Sequence, residues 1–315
     1  MDGRIRRGGA AVEPGSFGSA TGDQGAAART PPTLVVLSES DPVARAVEAR
    51  WGTAEPTGFH VDGAPVRQLE GGLLCVRRPG PHLYDERLDL RLPGPVLDRR
   101  PTLVFPSIHR SESKIRCFTV HPLGNLGGQA DHGGRPRTLV PTDPWRMTAT
   151  LRGLAEEARA LGLPATFEAT HHGPELGLPA FFAEVALPEG AEPSDAEVSV
   201  LAKAIRAAVP DPGDRVALAV GGGHYAPRFT DLAMDRHWAF GHILCRHAFA
   251  DLDAATSRAA SQATPRAEGV LYARAQDREL PAFVGLGPAL READAPRRDD
   301  RPARPTSTSS PTSGT

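Results

Sequence analysis

The chain has 315 residues, 40% of them hydrophobic, enough for a sizeable core in one large or two small domains. A formal net charge of −2 argues against a protein that coats nucleic acid by bulk electrostatics, and no apolar run is long enough to span a bilayer. Cys75, Cys117 and Cys245 sit in or beside apolar runs, which disfavours a disulfide framework or a thiolate zinc site and suits buried thiols of a reducing, cytoplasmic compartment.

Residues 1–31 and 291–315 have the low-hydrophobicity, Gly/Ala/Arg and Pro/Ser/Thr composition of disordered tails, leaving 32–290 as a single folded domain. Thr33 to Leu37 reads as the first strand, followed by a helix capped by Ser40 or Asp41, with Pro42 in its first turn and an apolar face reaching Trp51. Leu73–Val76 and Leu103–Phe105 are short apolar runs suited to central strands, separated by a Pro/Asp/Arg-rich surface loop from Pro79 to Arg100. Ile115–Val120 predicts a strand, and the Gly-rich stretch from Gly124 to Gly134 a functional loop. Asp143 caps a helix with Met147, Leu151, Leu154, Ala158 and Leu161 on one face, ended by Gly162.

Strands are expected over Ala165–Ala169 and Phe181–Ala186, the second carrying Glu184 on one face. A capping box at Ser194–Glu197 opens a helix with Val198, Leu201, Ala202, Ile205 and Val209 inward. Strands over Val216–Val220, Phe240–Leu244 and Gly269–Ala273 follow, with a helix over Asp253–Ala263 before the last. Alternating strands and helices predict an α/β fold, a mixed and largely parallel sheet with helices on both faces, whose ligands bind beyond the carboxyl ends of strands.

Four apolar runs end in polar, His-bearing loops: Ser107–Ser113 with His109, Arg110 and Glu112; His121–Asn125; Glu168–Pro174 with His171 and His172; and Gly221–Arg228 with His224 and Tyr225. The pattern predicts that they meet in one active site. Neutral imidazoles with a nearby carboxylate are the ligand set of a zinc site without thiolate, or a general base with its orienting partner. Adjacent strand residues point to opposite faces, so His171 and His172 converge only if the chain has left strand geometry. Arg110 can anchor a phosphate or carboxylate, and the triple glycine can offer backbone N–H groups to an anion.

A basic patch beside the site is expected from Arg110, Lys114, Arg116, Arg135, Arg137 and Arg146. Walker-type and dinucleotide fingerprints, a Gly-x-Ser-x-Gly elbow and a reactive-cysteine context are all missing, which disfavours nucleotide hydrolysis, hydride transfer and covalent catalysis. His60, His82, His237 and His247 read as surface or structural, while His242 fits either a structural or a site role.

The runs Ser107–Ser113, Thr119–Asn125, Glu168–Pro174, Gly221–Arg228 and Gly241–Ile243 resemble, in that order, motif blocks of the archaeal and plant type D-aminoacyl-tRNA deacylases. The resemblance covers about Pro32 to Leu286. It implies hydrolysis of the ester between a D-amino acid and the tRNA 3′ end, zinc dependence, and a fold similar to peptidyl-tRNA hydrolases and nucleoside phosphorylases. On that basis His109, Glu112, Glu168, His171, His172 and His224 are expected to be catalytic, with His109, His171 and His172 on zinc. Arg110, Ser111, His121, Asn125, Gly221, Gly222, Gly223, Tyr225 and Arg228 are expected to bind the substrate. The expected partner is D-aminoacyl-tRNA, met by a monomer away from membranes. The competing readings are a metal-dependent or phosphorylase-like enzyme acting on a small molecule, and a non-catalytic RNA-binding module.

Overall fold

A computed structural model describes residues 31–111 and 115–300. Strands β1 (Thr33–Ser38), β2 (Glu55–Val61), β3 (Ala64–Gln68), β4 (Leu74–Arg78), β5 (Thr102–Ser111), β6 (Cys117–Pro122), β7 (Ala165–Phe167) and β8 (Ala180–Pro188) form one sheet in the order β2-β3-β4-β1-β5-β8-β6-β7. Strands β9 (Arg215–Val220), β10 (Trp238–Leu244) and β11 (Ala267–Tyr272) form a second, parallel sheet in the order β10-β9-β11. Within the larger sheet β1, β4, β5 and β8 run parallel, β6 runs antiparallel to β8, and β2 and β3 add an antiparallel edge. The mixed, largely parallel sheet agrees with the sequence pattern.

Helices α1 (Pro42–Ala49), α3 (Pro144–Ala158) and α4 (Asp195–Ala207) pack on one another and on the larger sheet, with the short α2 (Gly94–Leu97) before β5. Helix α3 and α5 (Pro227–Asp235) contact both sheets, and α6 (Ala254–Gln262) lies on β10. One continuous apolar core runs from β1 through Phe105, Phe118, Phe167 and Phe181 to Trp238 and Phe240. All three cysteines are buried and free, as their apolar surroundings imply. Burial raises the thiol pKa of Cys75 to about 11 and of Cys117 to about 12.

Several local expectations change. The hairpin of β2 and β3 was not anticipated, although its turn, Asp62-Gly63 with φ of 48° and 84°, is of the Asp-Gly kind that joins adjacent strands. Helix α4 ends at Ala207, so Val209 is 78% exposed instead of inward. The chain also stays packed beyond residue 290: Ala295 is buried in the core, and Trp238 Nε1 donates to the Glu292 carbonyl at 3.0 Å. Backbone from His237 donates to the Pro296 carbonyl at 3.0 Å, so residues 291–300 belong to the fold and not to a tail.

Candidate active site

Strand register builds one half of the site. Opposite Glu184 on β8 stand Ser107 of β5 and Thr119 of β6, and two residues further along those neighbours come His109 and His121. Because side chains alternate along a strand, all five share one sheet face. Glu184 lies between the two imidazoles, 3.5 Å from His109 Nδ1 and 3.4 Å from His121 Nε2, and the Thr119 hydroxyl donates to it at 3.5 Å. His109 therefore sits on a strand, since β5 runs to Ser111 where a loop from Ser107 was expected.

Backbone hydrogen bonds stitch the other loops to this face. Glu168 N donates to the Val120 carbonyl at 3.0 Å, Ala169 N to the His224 carbonyl at 2.8 Å, and Gly124 N to the His172 carbonyl at 2.8 Å. His172 takes a left-handed φ of 45°, which breaks strand alternation and lets its ring meet that of His171 at 4.3 Å between centroids. The ring of His121 lies 4.0 Å from that of His171 and stacks on Phe182 at 5.2 Å. The His224 ring is 4.8 Å from His171 and 6.0 Å from His109. Five histidines and two carboxylates from separate parts of the chain thus converge.

Hydrogen bonds sort these rings into two kinds. His121, His171 and His172 each turn Nδ1 to a backbone carbonyl, of Pro122 at 3.2 Å, Ala169 at 2.8 Å and Gly173 at 2.8 Å. That leaves the Nε2 lone pairs for another partner, the arrangement that metal-binding histidines adopt. These three can present ligand atoms within 4.8 Å of one another, as can the sets His109, Glu168, His171 and His121, Glu168, Glu184. Carboxylates meet the other two rings, His109 with Glu184 and His224 Nε2 with Glu168 at 3.5 Å, and they also reach two of the first three: His121 Nε2 lies 3.4 Å from Glu184 and His171 Nε2 3.7 Å from Glu168.

Electrostatics follow the same division. Burial, with neighbouring imidazoles, holds His171 well below its ordinary pKa and His172 at about 3, so both are neutral. Burial also opposes charge on His109, but the Glu184 carboxylate outweighs it and raises His109 to about 9. Glu184 is correspondingly held well below the usual carboxylate range, against its own burial, by His109 and His121. Glu168 is 0% exposed, and both its carboxylate oxygens, like His121 Nε2, are buried without a hydrogen-bond partner. Such orphaned groups cost about 1–3 kcal/mol each, so something else must satisfy them.

The cluster opens into a cavity of about 610 Å³ lined by His109, His171, His172, His224 and Glu184 together with Pro42, Leu83 and Phe182. Arg110 stands at its rim, tied to the Ala191 carbonyl and to Glu192. Asn125 braces the Gly-rich loop through the carbonyls of Gly133 and Arg135. Gly221, Gly222 and Gly223 do not line the cavity, and Gly221 N is already used on the Leu244 carbonyl at 2.8 Å. Tyr225 bridges to the backbone of Glu168, behind the cavity, and Arg228 pairs with Glu292 away from it. Ser111 ends β5 opposite Pro188, and Glu112 lies outside the described residues.

The expected basic patch is neutralised where it is described. Arg116 pairs with Glu197, Arg135 with Glu175, Arg137 with Asp251 and Asp253, and the buried Arg146 with Asp143. Lys114 lies outside the described residues. His82 and His237 are structural: His82 accepts from Ser38 N at 2.9 Å and His237 meets Asp214 at 2.6 Å. His242 is structural too. It accepts from the Thr170 hydroxyl, donates to the Val140 carbonyl, and is driven by burial to a pKa of about 4, so it holds the His171 loop from beneath. His60 and His247 are exposed.

Glu184 is the residue the sequence reading left out of the site. Its signal was a lone carboxylate in the apolar run Phe181–Ala186, a costly placement unless it is paired.

The comparisons bear on what this cavity acts upon. A family model described as D-aminoacyl-tRNA deacylase matches residues 98–280. Proteins named D-aminoacyl-tRNA deacylase from Thermoplasma acidophilum and Thermoplasma volcanium are 34% and 37% identical to this chain, over 76% and 54% of it and 90% and 66% of their own lengths. One from Pyrococcus horikoshii is 33% identical over 61% of this chain and 71% of its own. Among solved structures, a conserved protein of unknown function superposes with a TM-score of 0.72 at 25% identity, covering 84% of this chain and 96% of that one.

Proposed function

This chain belongs to the D-aminoacyl-tRNA deacylase family and is accordingly a hydrolase of D-aminoacyl-tRNA ester bonds, and we propose that the histidine and carboxylate cluster in its cavity performs that hydrolysis. The convergence of His109–Glu184 and His224–Glu168 on one cavity, with three lone-pair-bearing imidazoles beside them, carries the reading.

Zinc fits the donors. His121, His171 and His172 would hold the ion, with Glu168 as the nearby carboxylate whose orphaned oxygens it would satisfy. This replaces His109 by His121 in the expected ligand set, because His121, like His171 and His172, turns Nδ1 to a backbone carbonyl, and its buried Nε2 has no hydrogen-bond partner. When bound, zinc supplies Lewis-acid polarisation and lowers the pKa of water.

The protein's own groups supply the proton traffic. His224 has a side chain 41% exposed and is oriented by Glu168, so it can take a proton from an attacking water. His109, kept protonated by Glu184, faces it across 6.0 Å and stabilises the oxyanion that develops on the ester carbonyl. The ester C–O bond then breaks, the proton passes to the departing ribose oxygen, and the products are a free D-amino acid and tRNA. Arg110, whose partner Glu192 is exposed, is placed to exchange that partner for a backbone phosphate.

The test is amino-acid release from matched D- and L-tyrosyl-tRNA, with and without a chelator and added zinc. The expected result is hydrolysis of the D-ester alone, lost on chelation and restored by zinc. Hydrolysis of neither ester would overturn the substrate, and chelator-resistant turnover would overturn the zinc assignment.

A further inference from the structure

The end of the Gly-rich loop, residues 132–134, is a strap fastened to the chain beside the cavity, which His132 lines. Gly133 presses against the chain so closely that a Cβ there would lie 1.8 Å from the Leu83 carbonyl oxygen, and a Cβ on Gly173 would lie 2.2 Å from Gly134 N. Gly133 and Gly134 both have left-handed φ, 79° and 74°. Gly173 N donates to the His132 carbonyl at 3.1 Å, and Gly134 N donates to Glu86, whose other oxygen accepts from Glu175 N. The backbone at and just after His132 is thus closely held, whereas the imidazole is exposed and lines the cavity.

Every other ring on the cavity wall is engaged. His82 is bonded to β1, Phe182 stacks on His121 and Phe105, His109 and His224 are on carboxylates, and His171 and His172 belong to the metal-binding group. His132 makes no hydrogen bond or ring contact through its side chain with a described residue, so its ring face is available to a ligand. An aminoacyl ester sits on the ribose of the terminal adenosine. When its carbonyl lies at the histidine cluster, the adenine must therefore lie within the same cavity or at its mouth.

Resting on the deacylase reading, we propose that His132 is a substrate-positioning residue that stacks on the terminal adenine of the tRNA acceptor end. Single-stranded ends are commonly held by stacking bases on aromatic rings, histidine included. The closely held backbone fixes where the ring is anchored, which lowers the ordering cost of binding. An adenine stacked at the rim directs the ribose ester inward, so this contact acts on binding and not on bond cleavage.

The experiment compares steady-state kinetics on D-tyrosyl-tRNA for wild type, His132→Ala and His132→Phe. Loss of one stack predicts a rise in KM of roughly tenfold in His132→Ala with kcat unchanged. His132→Phe keeps the ring without its nitrogens and is expected to restore KM to near the wild-type value. An unchanged KM in His132→Ala, or a phenylalanine variant no better than alanine, overturns the stacking role while leaving the deacylase reading intact. Failure of the wild type to hydrolyse the substrate in the same assay overturns the reading on which the proposal rests.

Discussion

Glu184 is 3% exposed in the middle of an apolar strand, yet it is charged and touches two imidazoles. A carboxylate so buried persists because protonated His109 offsets its charge, and in return it fixes the ring orientation and protonation of His109. Replacing it by Gln keeps the volume but removes the charge. Glu184→Gln is expected to lower kcat about a hundredfold, the scale of losing one positioned acid, with far-UV circular dichroism unchanged. Activity within a few-fold of wild type would show that His109 does not depend on Glu184. His171, His172, His109 and His224 could be singled out from sequence because each follows an apolar run. Which of their nitrogens meets a backbone carbonyl and which a carboxylate could not, because it depends on which atom faces which neighbour.

The strap and helix α4 show how single contacts govern elements. At Gly133 an added methyl meets the backbone oxygen of Leu83, which has no rotamer to move away, and φ is left-handed besides. Gly133→Ala is expected to destabilise the protein by about 2 kcal/mol or more and to lower activity, both read against wild type by thermal melting and turnover. Helix α4 begins with the capping box foreseen from Ser194 and Glu197. Burial would raise the pKa of Glu197, but hydrogen bonds from Ser194 and from Arg116 outweigh it and hold the group below the ordinary glutamate value. A depressed folded-state pKa stabilises above the unfolded value of about 4.3 and is lost as pH falls through the folded one. Glu197→Gln should therefore flatten the acid limb of a denaturation-against-pH curve; an unchanged acid limb would place the linkage elsewhere. Capped helices were legible because their signals are local. The β2–β3 hairpin was overlooked because Pro56 and Gly58 interrupt its pattern, although Asp62-Gly63 marked the turn.

At the scale of the whole molecule, residues 291–300 close the outer side of the smaller sheet through Trp238, His237 and the bridge between Arg236 and Arg297. A chain cut after Leu290 is expected to melt roughly 5 °C below one cut after Asp300, since losing one or two kcal/mol of packing shifts a domain of this size by a few degrees. Equal melting temperatures would show those contacts to be idle. Polar composition alone made this segment look like a tail, and only its packing shows otherwise. Local patterns in the sequence specified most of the elements and their caps, the buried thiols and most of the residues able to do acid–base or metal chemistry, because these depend on a few neighbouring residues. The sequence by itself did not determine that β6 would run antiparallel beside β8, setting His121 and His109 on either side of Glu184. Nor did it determine that the triple glycine would spend its Gly221 amide on Leu244 and stand back from the cavity. Those outcomes belong to the tertiary structure, because strand register and long-range hydrogen bonds are settled by the lowest free energy of the whole packed chain.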